Sequence, residues 1–140
     1  MVKFDEEKIP EILEKSRTVA VVGISDNPDR DSYRVADYLK RSGYTILPVN
    51  PAITQWLGIK AYKDLSSIPK DVRVDIVDIF RKPEAALQIV EEALKLRPAT
   101  IWLQEGVVNQ EAARLAKSNG IQVVMDRCMM KEHMKYHGKA

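Results

Sequence analysis

Five short runs rich in β-branched residues, separated by stretches with apolar residues at helical spacing, constrain this chain more than any other feature. The runs cover residues 18–23, 44–49, 74–79, 100–103 and 121–125. Between them, Val35, Ala36 and Leu39 recur with the period of a helix, as do Ala86, Ile89, Val90, Ala93 and Leu94. Strands alternating with helices form βαβ units whose crossovers are right-handed, which stacks helices on both faces of a mostly parallel sheet. The expected fold is therefore α/β: a Rossmann-like three-layer arrangement with a five-stranded, mostly parallel sheet. A further helix over about residues 5–16 precedes the first strand.

Punctuation agrees with this division. Gly43 follows Arg41-Ser42 and Gly120 follows Ser118-Asn119, each where a helix gives way to a strand. Pro83 suits a first helical turn, and Glu84 is favourable beside the positive end of the helix dipole.

Length and charge narrow the class. At 140 residues the chain suits one compact domain spanning 1–140, and 45% hydrophobic against 30% charged residues supply a core under a solvated surface. A net charge of +2 does not mark a nucleic-acid-binding protein. The longest apolar runs are far shorter than the roughly 20 residues that span a bilayer, and no signal-type stretch opens the chain, so no membrane association is expected. A lone Cys128 excludes an internal disulfide. Together these point to a soluble cytoplasmic protein.

In parallel sheets of this kind ligands lie outside the carboxyl ends of the strands, near the point where strand order reverses. The first such end reads Gly23-Ile24-Ser25-Asp26-Asn27-Pro28, with a helix starting near residues 31–33. A glycine there permits close backbone approach, and the helix N-terminus offers free N–H groups to a phosphate. A plain tight turn is the other reading, because only one glycine of the G-x-G-x-x-G dinucleotide fingerprint is present. The second strand ends in Asn50-Pro51, where NAD-binding domains place an acidic residue for the ribose hydroxyls. Arg30, Arg34, Arg41, Lys60, Arg81 and Lys82 are the cations available to a phosphorylated ligand. Phe80-Arg81-Lys82 closes the third strand: an aromatic that either covers a base or joins the core, beside a basic pair that either holds phosphate or faces solvent. Gln104-Glu105-Gly106 closes the fourth, and Trp102 reads equally as core or pocket wall. Asp78 lies within the third strand and needs a partner if buried.

The tail carries Cys128, His133 and His137, a Cys-x4-His-x3-His spacing with no evident fourth ligand. A capping helix with a structural thiol is the reading adopted, so neither a metal site nor a Cys128–His133 nucleophile is expected. Met125, Met129, Met130 and Met134 are read as packing residues.

Val21-Val22-Gly23-Ile24-Ser25, Pro48-Val49-Asn50-Pro51, residues 75–81, residues 102–106 and Met125-Asp126-Arg127-Cys128 together resemble the small CoA-binding protein family, over about residues 10–137. That family is similar to the N-terminal CoA-binding domain of the succinyl-CoA synthetase α subunit. The resemblance implies a cofactor, coenzyme A, with the Gly23–Asn27 turn at its phosphates and Asn50-Pro51 along its nucleotide. It also implies that Phe80-Arg81 and residues 103–106 line the cleft. The synthetase's phosphorylated histidine belongs to a second domain, and His133 and His137 are not placed to replace it, so ligase activity is not carried over. The expectation is a non-catalytic module for CoA or acyl-CoA, working as a homodimer or beside a partner enzyme subunit. The alternatives are a thiol-redox or ligase-associated component using Cys128 or a partner chain, and an NAD(P)-binding domain on the same fold.

Overall fold

The computed structural model describes residues 4–137. After a 3-10 turn, helix α1 (Ile9–Lys15) leads into β1 (Thr18–Val22), α2 (Asp31–Arg41) and β2 (Thr45–Val49). A two-stranded hairpin, β3 (Gln55–Trp56) and β4 (Ile59–Lys60), follows. The chain then alternates through β5 (Ile76–Ile79), α3 (Ala86–Ala93), β6 (Thr100–Leu103), α4 (Gln110–Ser118), β7 (Gln122–Met125) and α5 (Met129–Tyr136). The main sheet has the order β2-β1-β5-β6-β7, and every pairing in it is parallel. This is the doubly wound 2-1-3-4-5 order, whose reversal of direction falls between β1 and β5.

The strands read as nearly continuous apolar runs because both faces are covered. Val19, Val21, Ile46, Ile76, Trp102 and Val124 pack against Ile9, Ile12 and Leu13 of α1, Val35, Ala36 and Leu39 of α2, and Met129 of α5. The alternate residues Ala20, Val22, Val77, Ile79, Ile101, Leu103 and Val123 meet Ala86, Val90 and Ala93 of α3 and Ala112, Ala113 and Ala116 of α4. Alanines along both of these helices let them lie close to the sheet and to each other. Trp102 belongs to the core: it is fully buried and its Nε1–H donates to the Arg127 carbonyl at 2.8 Å. Met125 and Met129 are buried as expected, whereas Met134 stands 42% exposed.

One crossover departs from the alternation. Between β2 and β5 there is no α-helix, only the hairpin, a 3-10 turn (Leu65–Ser67) and loop. Pro51 and Pro69 interrupt this stretch. The backbone is left-handed at both Leu57 (φ 50°) and Gly58 (φ 79°), the conformation that a two-residue hairpin turn of type I′ demands.

Among the described residues, both edges of the sheet are partly covered. At β7, the Asp5 N–H donates to the Val123 carbonyl and the Asp5 carboxylate accepts from the Val123 N–H, both at 2.8 Å. At β2, Pro48 has no N–H, its carbonyl accepts from Tyr62, and the Tyr62 carbonyl accepts from Asn50. The covered positions leave less open strand edge for a homodimer to pair through.

Two aspartates on β5 and its approach fare differently. Asp75 accepts from the N–H groups of Arg17 and Thr18 at 2.8 and 3.0 Å and from Arg73 Nε at 3.0 Å. Burial pushes its pKa up, but these donors outweigh burial and hold it below the ordinary value. Asp78 is fully buried, and neither carboxylate oxygen has a hydrogen-bond partner among the described residues. Burial therefore drives its pKa well above the ordinary 3.8 and keeps the side chain protonated. A raised folded-state pKa contributes stability that is complete below the unfolded value and is lost as pH climbs through the folded one. Across that window the loss is about 1.4 kcal/mol per pH unit. Asp78→Asn, which cannot ionise, is expected to lack this decline. Thermal unfolding from pH 4 to pH 9 should show the variant gaining steadily on the native protein. Parallel curves would show that Asp78 ionises normally.

Candidate functional site

The turn after β1 and the turn after β5 meet at the point of reversal. Gly23 has φ +87°, and its N–H donates to the Val49 carbonyl at 2.8 Å. A Cβ built there would stand 2.2 Å from the Phe80 carbonyl oxygen and 3.2 Å from Arg81 Nε. What the glycine admits is thus the Phe80–Arg81 backbone, and through it the Arg81 side chain. The Phe80 N–H continues the ladder to the Val22 carbonyl at 2.9 Å, and the Phe80 ring is half-buried against the α1, α2 and α5 face.

The loop between β1 and α2 is shaped by its own side chains. The Ser25 N–H donates to Ser32 Oγ, the Asn27 N–H to Ser25 Oγ, and the Asp29 N–H to Asn27 Oδ1, at 2.9–3.0 Å. Ile24 is buried and its carbonyl accepts from Asn50 Nδ2 at 2.8 Å, while Asn50 Oδ1 accepts from the Ala52 N–H. Asn50 therefore ties the second strand end to the first, with both ends of its amide committed. Pro51, Asp26 and Asn27 are exposed. Arg34 donates to the Asp29 carbonyl and pairs with Asp31, so its guanidinium is also committed within the loop. By contrast, Arg30, Arg81 and Lys82 are exposed and form no ion pair among the described residues. Arg30 caps α2 without a side-chain hydrogen bond.

The fourth strand end is built differently from the expectation. The Gln104 side chain is buried, and its Oε1 accepts from the Met129 N–H at 3.0 Å, capping α5 rather than facing outward. Glu105 is exposed and pairs with Lys131 at 2.9 Å. The Gly106 N–H donates to Asp126 Oδ1 at 2.8 Å. Ser32, Asp126 and Lys131 thus hold the edge together without having been singled out as site residues. Only the serine hydroxyl in the first turn of α2 is the kind of signal a sequence displays. The Asp126 contact depends on a left-handed backbone (φ 61°) that an aspartate does not announce.

Cys128 is buried in the α1, α2 and α5 cluster, and His133 Nδ1 bonds to Tyr38 Oη at 2.7 Å, so the two do not form a catalytic pair. Several surface grooves lie elsewhere. One of about 520 Å³ is lined by residues of α1, the start of β2 and the end of α5. Others border Arg97, beside the amino end of β6. Topology and free cations, rather than depth, single out the strand-end edge.

These features define a Rossmann-like α/β domain with a preformed loop and three free cations at its reversal point. More particularly, the chain belongs to the CoA binding domain family, whose pattern matches residues 17–134. It is 43% identical over 126 residues to the uncharacterized protein YneT of Bacillus subtilis, covering 90% of this chain and 92% of that one. A solved structure, a hypothetical protein from Pyrococcus horikoshii, superimposes with a TM-score of 0.88 at 38% identity, over 94% of this chain and 91% of the other. The acetate–CoA ligase (ADP-forming) II of Archaeoglobus fulgidus is 27% identical over 117 residues. That match takes in 76% of this chain but only 17% of the ligase.

Gly23→Ala is expected to lower stability by about 2–4 kcal/mol, from the left-handed backbone together with the overlap at Phe80. Urea unfolding measures it directly. A loss below about 1 kcal/mol would mean the two turns separate easily.

Proposed function

We propose that this domain binds coenzyme A, free or acylated, along the edge formed by the ends of β1, β2, β5 and β6, and that it acts in the cytoplasm as a binding module without catalysing a reaction itself. The observation that carries this reading is the trio of exposed, unpaired cations, Arg30, Arg81 and Lys82, around the Gly23 turn. CoA carries a diphosphate and a 3′-phosphate, so it offers several negative groups to such a cluster. The N-terminus of α2, whose capping residue supplies no side-chain acceptor, adds backbone donors. Phe80, half-buried beside Arg81, is suited to cover one face of the adenine. Ser25 and Asn27 act mainly by holding the loop, with the Ser25 hydroxyl proton and the Asn27 amide N–H groups left for ligand. Gly106 keeps backbone close to the same edge, and Glu105 sits at its margin.

The alternatives are less well supported. An NAD-binding site wants a carboxylate at the end of β2, and Asn50 presents a neutral amide already bonded at both ends. A thiol-exchange role wants an exposed thiol, and Cys128 is 6% exposed. The similarity to an acetate–CoA ligase favours a second reading, in which the module presents CoA to a partner chain that does the chemistry.

Calorimetric titration with CoA, dephospho-CoA and NAD in parallel tests the proposal. Micromolar CoA binding is expected, weakened about tenfold or more without the 3′-phosphate. Arg81→Ala should cost a similar factor with no change in thermal unfolding, because its side chain is exposed and unpaired. NAD binding as tight as CoA, or CoA binding indifferent to Arg81→Ala, would overturn it.

A further inference from the structure

The last turn of α5 carries two histidines that the proposed CoA edge does not use. His133 and His137 are one helical turn apart, and their ring centroids are 5.0 Å apart with planes tilted by 37°. A metal held about 2.0–2.1 Å from one nitrogen of each ring sets the ring centres roughly 4.5–5.2 Å apart, a spacing that the two rings match once rotated to turn a nitrogen each toward a common ion. Both line the groove whose other walls are Leu13, Glu14, Arg17 and Tyr44.

His133 is prepared for that role by its surroundings. Its Nδ1 lies 2.7 Å from Tyr38 Oη, and the rings of Tyr38 and Tyr44 flank it edge-on at 5.4 and 5.8 Å. If Nδ1 carries the proton and donates to Tyr38, the lone pair on Nε2 is free, the arrangement that fixes a metal-binding imidazole through its other nitrogen. Arg17 is kept on the groove wall by its own bonds to the carbonyls of Glu14 and Ser16, both at 3.1 Å. Among the described residues no third His, Cys, Asp or Glu stands close enough to complete a three-ligand set, and Cys128 is buried in the core.

We propose that His133 and His137 form a two-histidine chelate for a divalent transition-metal ion, with water filling the remaining positions and Tyr38 as the positioning residue of His133. Imidazole pairs of this kind suit copper, nickel and zinc, and not the oxygen-seeking magnesium or calcium. The ion would sit at the end of α5 remote from Gln104, facing the groove beside β2. The site is independent of the CoA edge.

Nickel chloride titration of the untagged full chain, followed by calorimetry and by thermal unfolding, tests the inference. One saturable nickel site per chain is expected, with an unfolding temperature that rises with nickel. His137 is exposed, so His137→Ala should fold normally, yet bind nickel at least about tenfold more weakly and lose the thermal shift. Tyr38→Phe should also weaken nickel binding, as expected for a positioning residue. Nickel affinity unchanged in His137→Ala, or no saturable binding below about 1 mM, would overturn the proposal.

Discussion

The backbone contact between Gly23 and Phe80 is the constraint from which the rest of this edge follows. In a doubly wound sheet the loops leaving the two strands on either side of the reversal diverge to opposite faces, which opens a crevice. Here the crevice floor is closed by the Phe80 carbonyl lying against the bare Cα of Gly23. No side chain fits between them, so the first turn and the Arg81 turn are fixed relative to one another. The same contact aims a cation from β5 over the loop that leads into α2. Were the two turns farther apart, Arg81 would belong to the surface of β5 alone.

Around that contact, polar side chains are used to build rather than to reach. Ser25, Asn27 and Ser32 accept from successive loop N–H groups, and Asn50 spans from Ile24 to Ala52. Gln104 caps α5 from beneath the fourth strand end. A loop held this way has little conformational freedom left to lose on meeting a ligand. The division of labour is chemically sensible. Short polar side chains have few rotamers and suit scaffolding, whereas the long arginine and lysine side chains keep their rotamer freedom at the surface.

This division also explains what was legible in the sequence. The five strands and their parallel arrangement follow from apolar periodicity and from glycine and proline punctuation, because those signals act locally on the backbone. Gly23 was readable as a close-approach position, yet what approaches it is Phe80, a partner some 57 residues away whose carbonyl leaves no trace in composition. Asn50 and Gln104 show the limit more sharply. Each is the right residue type at the right strand end to touch a ligand, and each is instead committed by a contact that only the folded chain creates. The missing helix between β2 and β5 was hidden for the opposite reason: its place is taken by two-residue strands too short to show a period.

Asp78 and Asp75 make the same point about charge. Both are aspartates on or beside one central strand, and only two residues lie between them. Asp75 lies at the amino end, where the N–H groups of Arg17 and Thr18 begin the neighbouring strand and converge on its carboxylate. Asp78 lies within the ladder, where the backbone donors of β1 and β6 are engaged in strand pairing, and its carboxylate finds no hydrogen-bond partner among the described residues. A carboxyl in the first position is best kept charged, and one in the second is best kept neutral. Position along the strand, rather than residue type, therefore decides which of the two stabilises the fold at neutral pH. The interior carboxyl is tolerated because protonation removes the charge that the apolar core cannot hold.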